Sequence, residues 1–290
     1  MSLHKRSPEE VKTIIRALTD EGVVLVGGQC VNIWSLKYEE PGAEPWKSLK
    51  PFTSYDVDGF ADNAQMLGIA RRLEKEGYCV SVFFPKPDES GTPNTGKLIV
   101  TRRRFEVEID LLHELKGVGP EEIRMQSQTL QWQNIHLRLL HPSLCVENKA
   151  CNLLTLPQNN PREPRQDRKH LILSVANLRR HLLARTEDSS EEILLQTAER
   201  LIDFACHQHG LEIKRLQGID LIEGIPWNEW PKSGKPRLIK LAGTRRSVDK
   251  TIEGRLGEIE ELDAWIKALK ATDSTARAHR ASKTRRRKTS

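Results

Sequence analysis

The chain contains 290 residues, of which 37% are hydrophobic, and this is enough to bury the core of one or two globular domains. No run of 18 apolar residues occurs and the first residues lead into a helical pattern, so the sequence predicts no membrane-spanning helix, no signal peptide and a cytoplasmic protein. The formal net charge is +6, and five scattered cysteines without Cys-x-x-Cys spacing favour neither disulfides nor structural zinc.

Hydrophobic periodicity predicts alternating helices and strands in the first half of the chain. A first helix begins near Ser7, where Ser7 and Glu10 have the spacing of a capping box. Further helices are predicted over residues 29–37 and 63–76, and strands over residues 23–26, 56–60, 78–84, 97–101, 103–112 and 135–140. We therefore expect an α/β domain over residues 1–141, with a mixed sheet and flanking helices.

Strand patterns nearly vanish after residue 141. Helices are predicted over residues 143–156, 165–184, 190–209 and 249–271, and residues 218–243 are predicted to be irregular. The sequence thus predicts a mainly helical C-terminal domain over residues 142–271 and a basic, disordered tail over residues 272–290.

Two aspartates, Asp56 and Asp58, occupy positions that a strand places on one face, roughly 6.6 to 6.8 Å apart along the backbone. At this separation two unpaired carboxylates repel each other by about 2.5 kcal/mol at an effective dielectric of 20. A cation between them removes this cost, and carboxylate oxygens suit Mg²⁺ or Mn²⁺ better than zinc. An isolated Asp-x-Asp is more often a strand-end turn or a solvated edge than a metal site, so both interpretations stay open from this pair alone.

A third carboxylate, Asp110, lies in a segment with a clean period of two. Apolar residues take one face of the predicted strand, and the other face carries Glu106, Glu108 and Asp110. If this strand lies beside the strand of Asp58, Asp110 continues the carboxylate cluster. Glu108 is a rival for the same role, whereas Glu106 is expected to be solvated.

A glycine pair, Gly27-Gly28, follows the first predicted strand and precedes a predicted helix. Glycine lets the backbone approach a ligand closely and adopt dihedral angles that other residues avoid. A helix that begins at such a turn presents free amides and the positive end of its dipole to a phosphate. A Gly-Gly after a strand is also an ordinary turn, so the pair gains weight only together with the acids.

Together these residues resemble the nucleotidyltransferase superfamily that includes DNA polymerase beta, and within it the AbiEii-like abortive-infection toxins and related bacterial nucleotidyltransferases. The resemblance is carried by Val-Gly-Gly at 26–28, Thr-Ser-Tyr-Asp-Val-Asp at 53–58 and Val-Glu-Ile-Asp at 107–110. It implies a nucleotidyltransferase-type sheet and a triphosphate bound at Gly27 and Gly28. It also implies that Asp56, Asp58 and Asp110 are both the metal ligands and the catalytic residues.

A second stretch extends the resemblance to about residues 22–183. The segment His-Pro-Ser-Leu-Cys-Val-Glu-Asn-Lys at 141–149 looks like the family's proline-led helix with a lysine, and Arg-Gln-Asp-Arg-Lys follows at 165–169. The resemblance implies that Lys149 and Asp167 contribute to the nucleotide site. From the residues alone, Lys149 is equally well a surface lysine, and Asp167 in a run of mixed charge is expected to be solvated.

The resemblance implies an enzyme that uses Mg²⁺ or Mn²⁺ to transfer a nucleoside monophosphate from a nucleoside triphosphate to a hydroxyl acceptor. It also implies the toxin of a toxin-antitoxin pair, restrained by a partner antitoxin protein. The alternative is a catalytically inactive nucleotidyltransferase-fold protein that binds RNA or regulates a partner. Metal-dependent triphosphate binding would separate these two hypotheses.

The C-terminal end carries seven positive charges and no acid between residues 277 and 290, and without them the net charge of +6 becomes about −1. Basic segments of this kind attract phosphate backbones by releasing counterions. RNA, with the end of a tRNA as one case, is therefore the acceptor that the charge favours. A solvated solubility tail is the competing interpretation.

Overall fold

A seven-stranded mixed sheet organises the first half of the chain. The computed structural model describes residues 8–50, 57–86, 93–103, 105–132, 134–158 and 165–286. The strands are β1 (Val24–Leu25), β2 (Val57–Phe60), β3 (Cys79–Phe83), β4 (Asn94–Arg102), β5 (Phe105–Leu112), β6 (Gln128–Trp132) and β7 (Ile135–Leu139). Their order in the sheet is β3-β4-β5-β2-β1-β7-β6. Parallel pairing joins β5 to β2 and β1 to β7, and every other neighbouring pair is antiparallel.

Five helices accompany these strands within the described residues. They are α1 (Pro8–Asp20), α2 (Gly27–Tyr38), α3 (Trp46–Leu49), α4 (Asn63–Lys75) and α5 (Pro120–Gln126). The start of α4 is fixed by a capping box, in which the Asp62 side chain accepts from the Gln65 amide and the Gln65 side chain accepts from the Asp62 amide.

Beyond β7 the described chain consists of helices joined by turns and irregular segments, and it contains no strand. The helices are α6 (Pro142–Thr155), α7 (Asp167–Arg185), α8 (Glu191–Cys206), α9 (Gln208–Gln217), α10 (Pro236–Ala242) and α11 (Arg245–Arg286). Two short 3-10 turns, Leu221–Gly224 and Trp230–Lys232, connect α9 to α10. The prediction of an α/β fold with a mixed sheet and flanking helices is therefore confirmed.

The apolar side chains form two clusters, which we call the sheet cluster and the helical cluster. In the sheet cluster, α4 packs on β3 and β4 while α1 packs on α4 and β7, so this face of the sheet is buried. On the opposite face α2 contacts β2, and α6 and α7 pack on α2. Along β3, β4 and β5 that face stays partly exposed, because alternate residues of these strands are accessible. An open sheet face thus lies beside the start of α2.

The helical cluster joins α6 through α11 and includes two tryptophans of the segment between α9 and α10. Trp230 is fully buried, and its indole N–H donates to Thr186 Oγ1 at 3.3 Å. Trp227 donates to the Ile222 carbonyl at 2.7 Å. These bonds satisfy the polar atom of each ring, so both side chains serve as core residues.

Several predicted elements differ from the structure. The sequence predicted neither α3 nor α5 nor β6, and residues 218–243, which were predicted to be irregular, contain α10. The helix predicted over 190–209 is two helices, because the chain leaves helical dihedrals at His207. The helix predicted to end at residue 271 continues as α11 through Arg286, so the segment predicted to be a disordered tail is helical as far as that residue. No glycine or proline follows Gly257 to interrupt it.

None of the helices in the described part of the chain is long and apolar enough to cross a membrane. The division into domains at residues 141 and 271 stays a prediction.

Candidate functional site

Four residues form one row across the open sheet face, each directly opposite the next in the strand register. Phe83 of β3 lies opposite Lys97 of β4, Lys97 opposite Asp110 of β5, and Asp110 opposite Asp58 of β2. Directly paired residues of neighbouring strands point to the same face of a sheet, and the strands themselves lie about 4.7 to 4.9 Å apart. The register therefore brings two of the three predicted metal ligands together.

Burial on the other face fixes which side these carboxylates take. Ile109 and Leu111 are fully buried in the sheet cluster, so Asp110 between them must point to the open face. The Asp110 side chain is 24% exposed. Its carboxylate is thus accessible at the surface and partly shielded from water, a setting in which charge interactions are stronger than in bulk solvent.

Gly27 lies against the Asp58 carboxylate. A Cβ atom at residue 27 would meet Asp58 Oδ2 at 1.8 Å, and the backbone there has a φ of +63°. The two segments are also joined by a hydrogen bond of 3.0 Å, which the Val26 amide donates to the Asp58 carbonyl. Only glycine fits both the left-handed conformation and the space.

The helix α2 begins at this same glycine. Its N-cap residue, Val26, provides no side-chain hydrogen bond to the first turn. The first amides of a helix have no acceptor within the helix, and the positive end of the dipole lies there. The beginning of α2 is therefore an electropositive backbone site next to the Asp58 carboxylate, which suits a phosphate bound together with a cation.

Lys97 supplies a positive charge on the open face itself. Its ammonium lies 3.4 Å from Asp110 Oδ1 and forms a close ion pair with Glu108 Oε1. Glu106, on the same face of β5, is exposed and lies opposite Thr101. The structure thus distinguishes the three acids of β5: Asp110 is next to Asp58, Glu108 binds Lys97, and Glu106 stands apart.

The third predicted metal ligand, Asp56, lies outside the described residues. Within the described ranges, no group of three or more His, Cys, Asp or Glu side chains is arranged to hold a metal ion. The chemistry of the pair Asp58 and Asp110 nevertheless fits Mg²⁺ or Mn²⁺, because both ions take carboxylate oxygens and keep several waters. A pair of carboxylates with an open side matches that requirement.

Lys149 and Asp167 form an ion pair in the interior, which differs from the surface positions considered for them. Lys149 Nζ lies 3.1 Å from Asp167 Oδ1, and the two side chains are 6% and 3% exposed. Arg165 Nε donates to the other carboxylate oxygen at 2.6 Å. Burial by itself raises the pKa of Asp167, but the charges of Lys149 and Arg165 outweigh it and leave the pKa below its usual value.

The helix α6 connects this ion pair to the start of α2. Cys145 Sγ lies 3.8 Å from Cys30 Sγ, and Cys30 belongs to the first turn of α2. Lys149 follows Cys145 by four residues, slightly more than one helical turn and about 6 Å along α6. Lys149 is therefore about one turn away from the residue that contacts the first turn of α2.

The helix α7 runs beside α2 in the same direction. Asn177 donates to Ser35 Oγ at 3.0 Å, and one turn further His181 Nδ1 lies 3.0 Å from the Tyr38 hydroxyl. His170 precedes Asn177 by seven residues on α7, and Gly28 precedes Ser35 by seven residues on α2. Each step corresponds to about 10.5 Å along the helix. His170 thus lies at about the level of the glycine turn.

His170 is a functional candidate that the sequence analysis did not single out. The residue is 5% exposed, and its Nε2 atom has no hydrogen-bond partner in the described part of the chain. Burial, followed by the charge of Lys149, lowers its pKa to about 3, so the imidazole is neutral at pH 7. A single histidine within a helical pattern gave no sequence signal for this position.

No protein-family model matches the chain, and no curated protein matches it. Among solved structures, the chain is similar to the crystal structure of JHP933 from Helicobacter pylori, with a TM-score of 0.32 and 13% sequence identity. The match covers 88% of this chain and 95% of that chain. At this TM-score the similarity carries no argument about activity, so the site geometry is the basis for any functional conclusion.

Proposed function

We propose that the protein is a metal-dependent nucleotidyltransferase that transfers a nucleoside monophosphate from a nucleoside triphosphate to a hydroxyl, with release of pyrophosphate. The observation that carries the proposal is the contact of Gly27, at the start of α2, with Asp58, which lies opposite Asp110 in the strand register. A phosphate site and a carboxylate pair are thereby adjacent. On this proposal the sheet is of the nucleotidyltransferase type, as the resemblance of the motifs implies.

The proposed roles follow from the position of each residue. Asp58 and Asp110, with Asp56, would hold Mg²⁺ or Mn²⁺, and such an ion would supply charge neutralisation on the phosphates and would favour the deprotonated acceptor hydroxyl. The first amides of α2 at Gly27 and Gly28 bind the triphosphate. Asp58 and Asp110 share the open face of the sheet, and Asp58 is the one that lies against Gly27, so we assign Asp110 to the acceptor hydroxyl.

Lys149 and Asp167 are proposed to line the nucleotide site and to take no part in the reaction. Their ion pair is buried one helical turn from the Cys145–Cys30 contact, and this supports a place next to the α2 terminus. Its charges hold α6 and the start of α7 together.

The proposal predicts label transfer that depends on Asp58 and Asp110. The protein is incubated with each α-labelled nucleoside triphosphate, total RNA and Mg²⁺ or Mn²⁺, and label in RNA is measured. The Asp58→Asn and Asp110→Asn variants should lose about 10³-fold of the activity, because the ion stabilises the transition state by several kcal/mol. Glu106→Gln, which removes a charge from the same face of β5, is the matched control and should retain it.

Label transfer that is unchanged in both aspartate variants would refute the proposal. RNA binding without metal-dependent triphosphate binding would instead favour an inactive RNA-binding protein. RNA as acceptor is proposed from the charge of the C-terminal end, and a toxin role with a cognate antitoxin is proposed from the family resemblance alone. Coexpression with the product of a neighbouring gene, followed by the same transfer assay, tests the antitoxin.

A further inference from the structure

Lys97 brings a positive charge to the sheet face that carries Asp58 and Asp110, where the proposed metal ion would also bind. It lies directly opposite Asp110 in the antiparallel β4–β5 register, and Glu108 is its diagonal neighbour on the same face. Its ammonium binds Glu108 closely and lies 3.4 Å from Asp110 Oδ1. One ammonium is thus shared by two carboxylates, one of which is a proposed metal ligand.

Simple electrostatics explains why the strands accommodate this arrangement. Two carboxylates about 5 Å apart, as expected for Asp58 opposite Asp110, repel each other by about 3 kcal/mol at an effective dielectric of 20. An ammonium next to Asp110 offsets part of that cost before any metal binds. The same ammonium would repel a divalent cation that arrived at the Asp110 carboxylate.

We propose that the Lys97 ammonium is the counter-ion of Asp110 when no metal is bound. We also propose that Glu108 keeps this ammonium away from the metal position, so that Asp110 can bind the metal ion instead. Lys97 and Glu108 are then positioning residues of the metal site. The inference rests on the proposed function, because it requires a divalent cation at Asp58 and Asp110. It adds that metal affinity is set by the competition between Glu108 and Asp110 for one ammonium.

The position of Lys97 distinguishes this role from that of an ordinary surface ion pair. Exposed pairs of this kind contribute at most about 1 kcal/mol to stability and have no defined direction of action. Here the lysine side chain is 40% exposed, but its register places it in the row of Asp110 and Asp58. Removing the ammonium therefore changes the charge next to the proposed metal ligands.

Binding of Mn²⁺ alone to the full-length protein tests the proposal, with free Mn²⁺ measured by electron paramagnetic resonance. Lys97→Met should bind Mn²⁺ about tenfold more tightly, because a neighbouring positive charge is removed. Lys97→Arg should stay close to the unsubstituted protein. Glu108→Gln should bind more weakly, because the ammonium is left to Asp110 alone.

The double variant Lys97→Met/Glu108→Gln separates this mechanism from general charge effects. If Glu108 acts by holding Lys97, its substitution should have little effect once Lys97 is gone. If both residues act only through their net charge, the two effects should add, and the proposal is wrong. Glu106→Gln removes an equal charge from the same face of β5 without contacting Lys97, and should leave the affinity unchanged.

The outcomes also distinguish this inference from the proposed function. Mn²⁺ binding that is lost in Asp58→Asn and Asp110→Asn establishes the metal site. With that dependence present, an unchanged or weaker affinity in Lys97→Met refutes only the role of Lys97. If the Mn²⁺ affinity is the same in both aspartate variants as in the unsubstituted protein, the metal site and the role of Lys97 are refuted together. Melting temperatures of all variants confirm that each protein is folded.

Discussion

Gly27 and Asp58 touch so closely that the carboxylate of one residue fills the space that a side chain of the other would need. The contact joins the first residue of α2 to the middle of β2. The start of α2 and the Asp58 carboxylate therefore cannot move independently. The position of the helix terminus is fixed by the residue that is proposed to hold the metal.

Substituting Gly27 by alanine should cost both stability and function. The left-handed φ is expected to cost about 1 to 2 kcal/mol for any L-residue, and the new Cβ must displace the Asp58 carboxylate. Gly218→Ala is the matched control, because Gly218 has a φ of +67° and nothing lies within 4 Å of its Cβ position. Urea unfolding should show a loss in both variants, whereas Mn²⁺ binding and label transfer should fall only in Gly27→Ala. Equal function in the two variants would contradict this prediction.

Breaking the buried ion pair should destabilise the protein more than losing a surface pair. Asp167→Asn leaves the Lys149 ammonium uncompensated in the interior, at a cost of about 3 to 5 kcal/mol. Lys149→Met should cost less, because Asp167 keeps its ion pair with Arg165. The double variant Lys149→Met/Asp167→Leu should recover most of that loss, because no buried charge is left alone. Urea unfolding measures both effects.

The same double variant separates structure from nucleotide binding at this position. If the pair only joins α6 to α7, the stable double variant should bind a triphosphate as the unsubstituted protein does. If it also bounds the nucleotide site, as proposed, the dissociation constant should rise although stability is restored. Fluorescence titration with a labelled triphosphate decides between the two.

Stability should fall as the pH is lowered below about 6.5, and three buried histidines supply the reason. Burial lowers the pKa of His141 to about 4, of His170 to about 3 and of His181 to about 2. At a pH between the folded pKa of each histidine and its unfolded pKa of about 6.5, the imidazole is protonated in the unfolded chain but neutral in the folded protein. Each buried imidazole therefore removes about 1.4 kcal/mol of stability per pH unit in that window.

The His170→Gln variant checks this account in urea unfolding at pH 7.5, 6.0 and 5.0. One of the three contributions to the pH dependence disappears with the imidazole, so the variant should lose less stability between pH 6.0 and 5.0. The matched control is His209→Gln, since His209 is exposed. A pH profile that is the same in both variants would exclude His170 as a source of the acid sensitivity.

Removal of residues 272–290 should weaken RNA binding mainly at low salt. The segment carries seven positive charges, and each phosphate contact to single-stranded RNA contributes about 0.7 to the slope of log K against log salt. The truncated protein should show a clearly smaller slope with an unchanged melting temperature, because described α11 residues that pack in the helical cluster, such as Ile252, precede the cut. An unchanged slope would identify the segment as a solubility tail.

The sequence predicted the main strands of the sheet and the residues at its open face, because both depend on local patterns. The alternation in β5 identified Asp110, and the apolar segment before Gly27 identified the glycine turn. β6 was missed because its residues alternate only between partly and fully exposed, without a buried face. Seven-residue α5 is too short to show a helical period.

The parts that were not predicted depend on pairing between distant segments. A lysine in a strand pattern does not show which carboxylate lies opposite, so the place of Lys97 followed only from the β4–β5 register. Asp167 was expected to be solvated because its neighbours are charged. Its buried charge is stabilised by neighbouring Arg165 and by Lys149, which lies eighteen positions earlier on another helix. Ion pairs of this kind leave no periodic signal.

The helices α6 and α7 each belong to both apolar clusters. Leu144 and Leu173 pack in the sheet cluster, whereas Val146 and Leu171 pack in the helical cluster. Unfolding of either cluster would therefore remove the packing on one side of α6 and α7 and would expose apolar residues of the other cluster. We expect the sheet and the helices to unfold in one cooperative transition, with coincident signals from tryptophan fluorescence and circular dichroism.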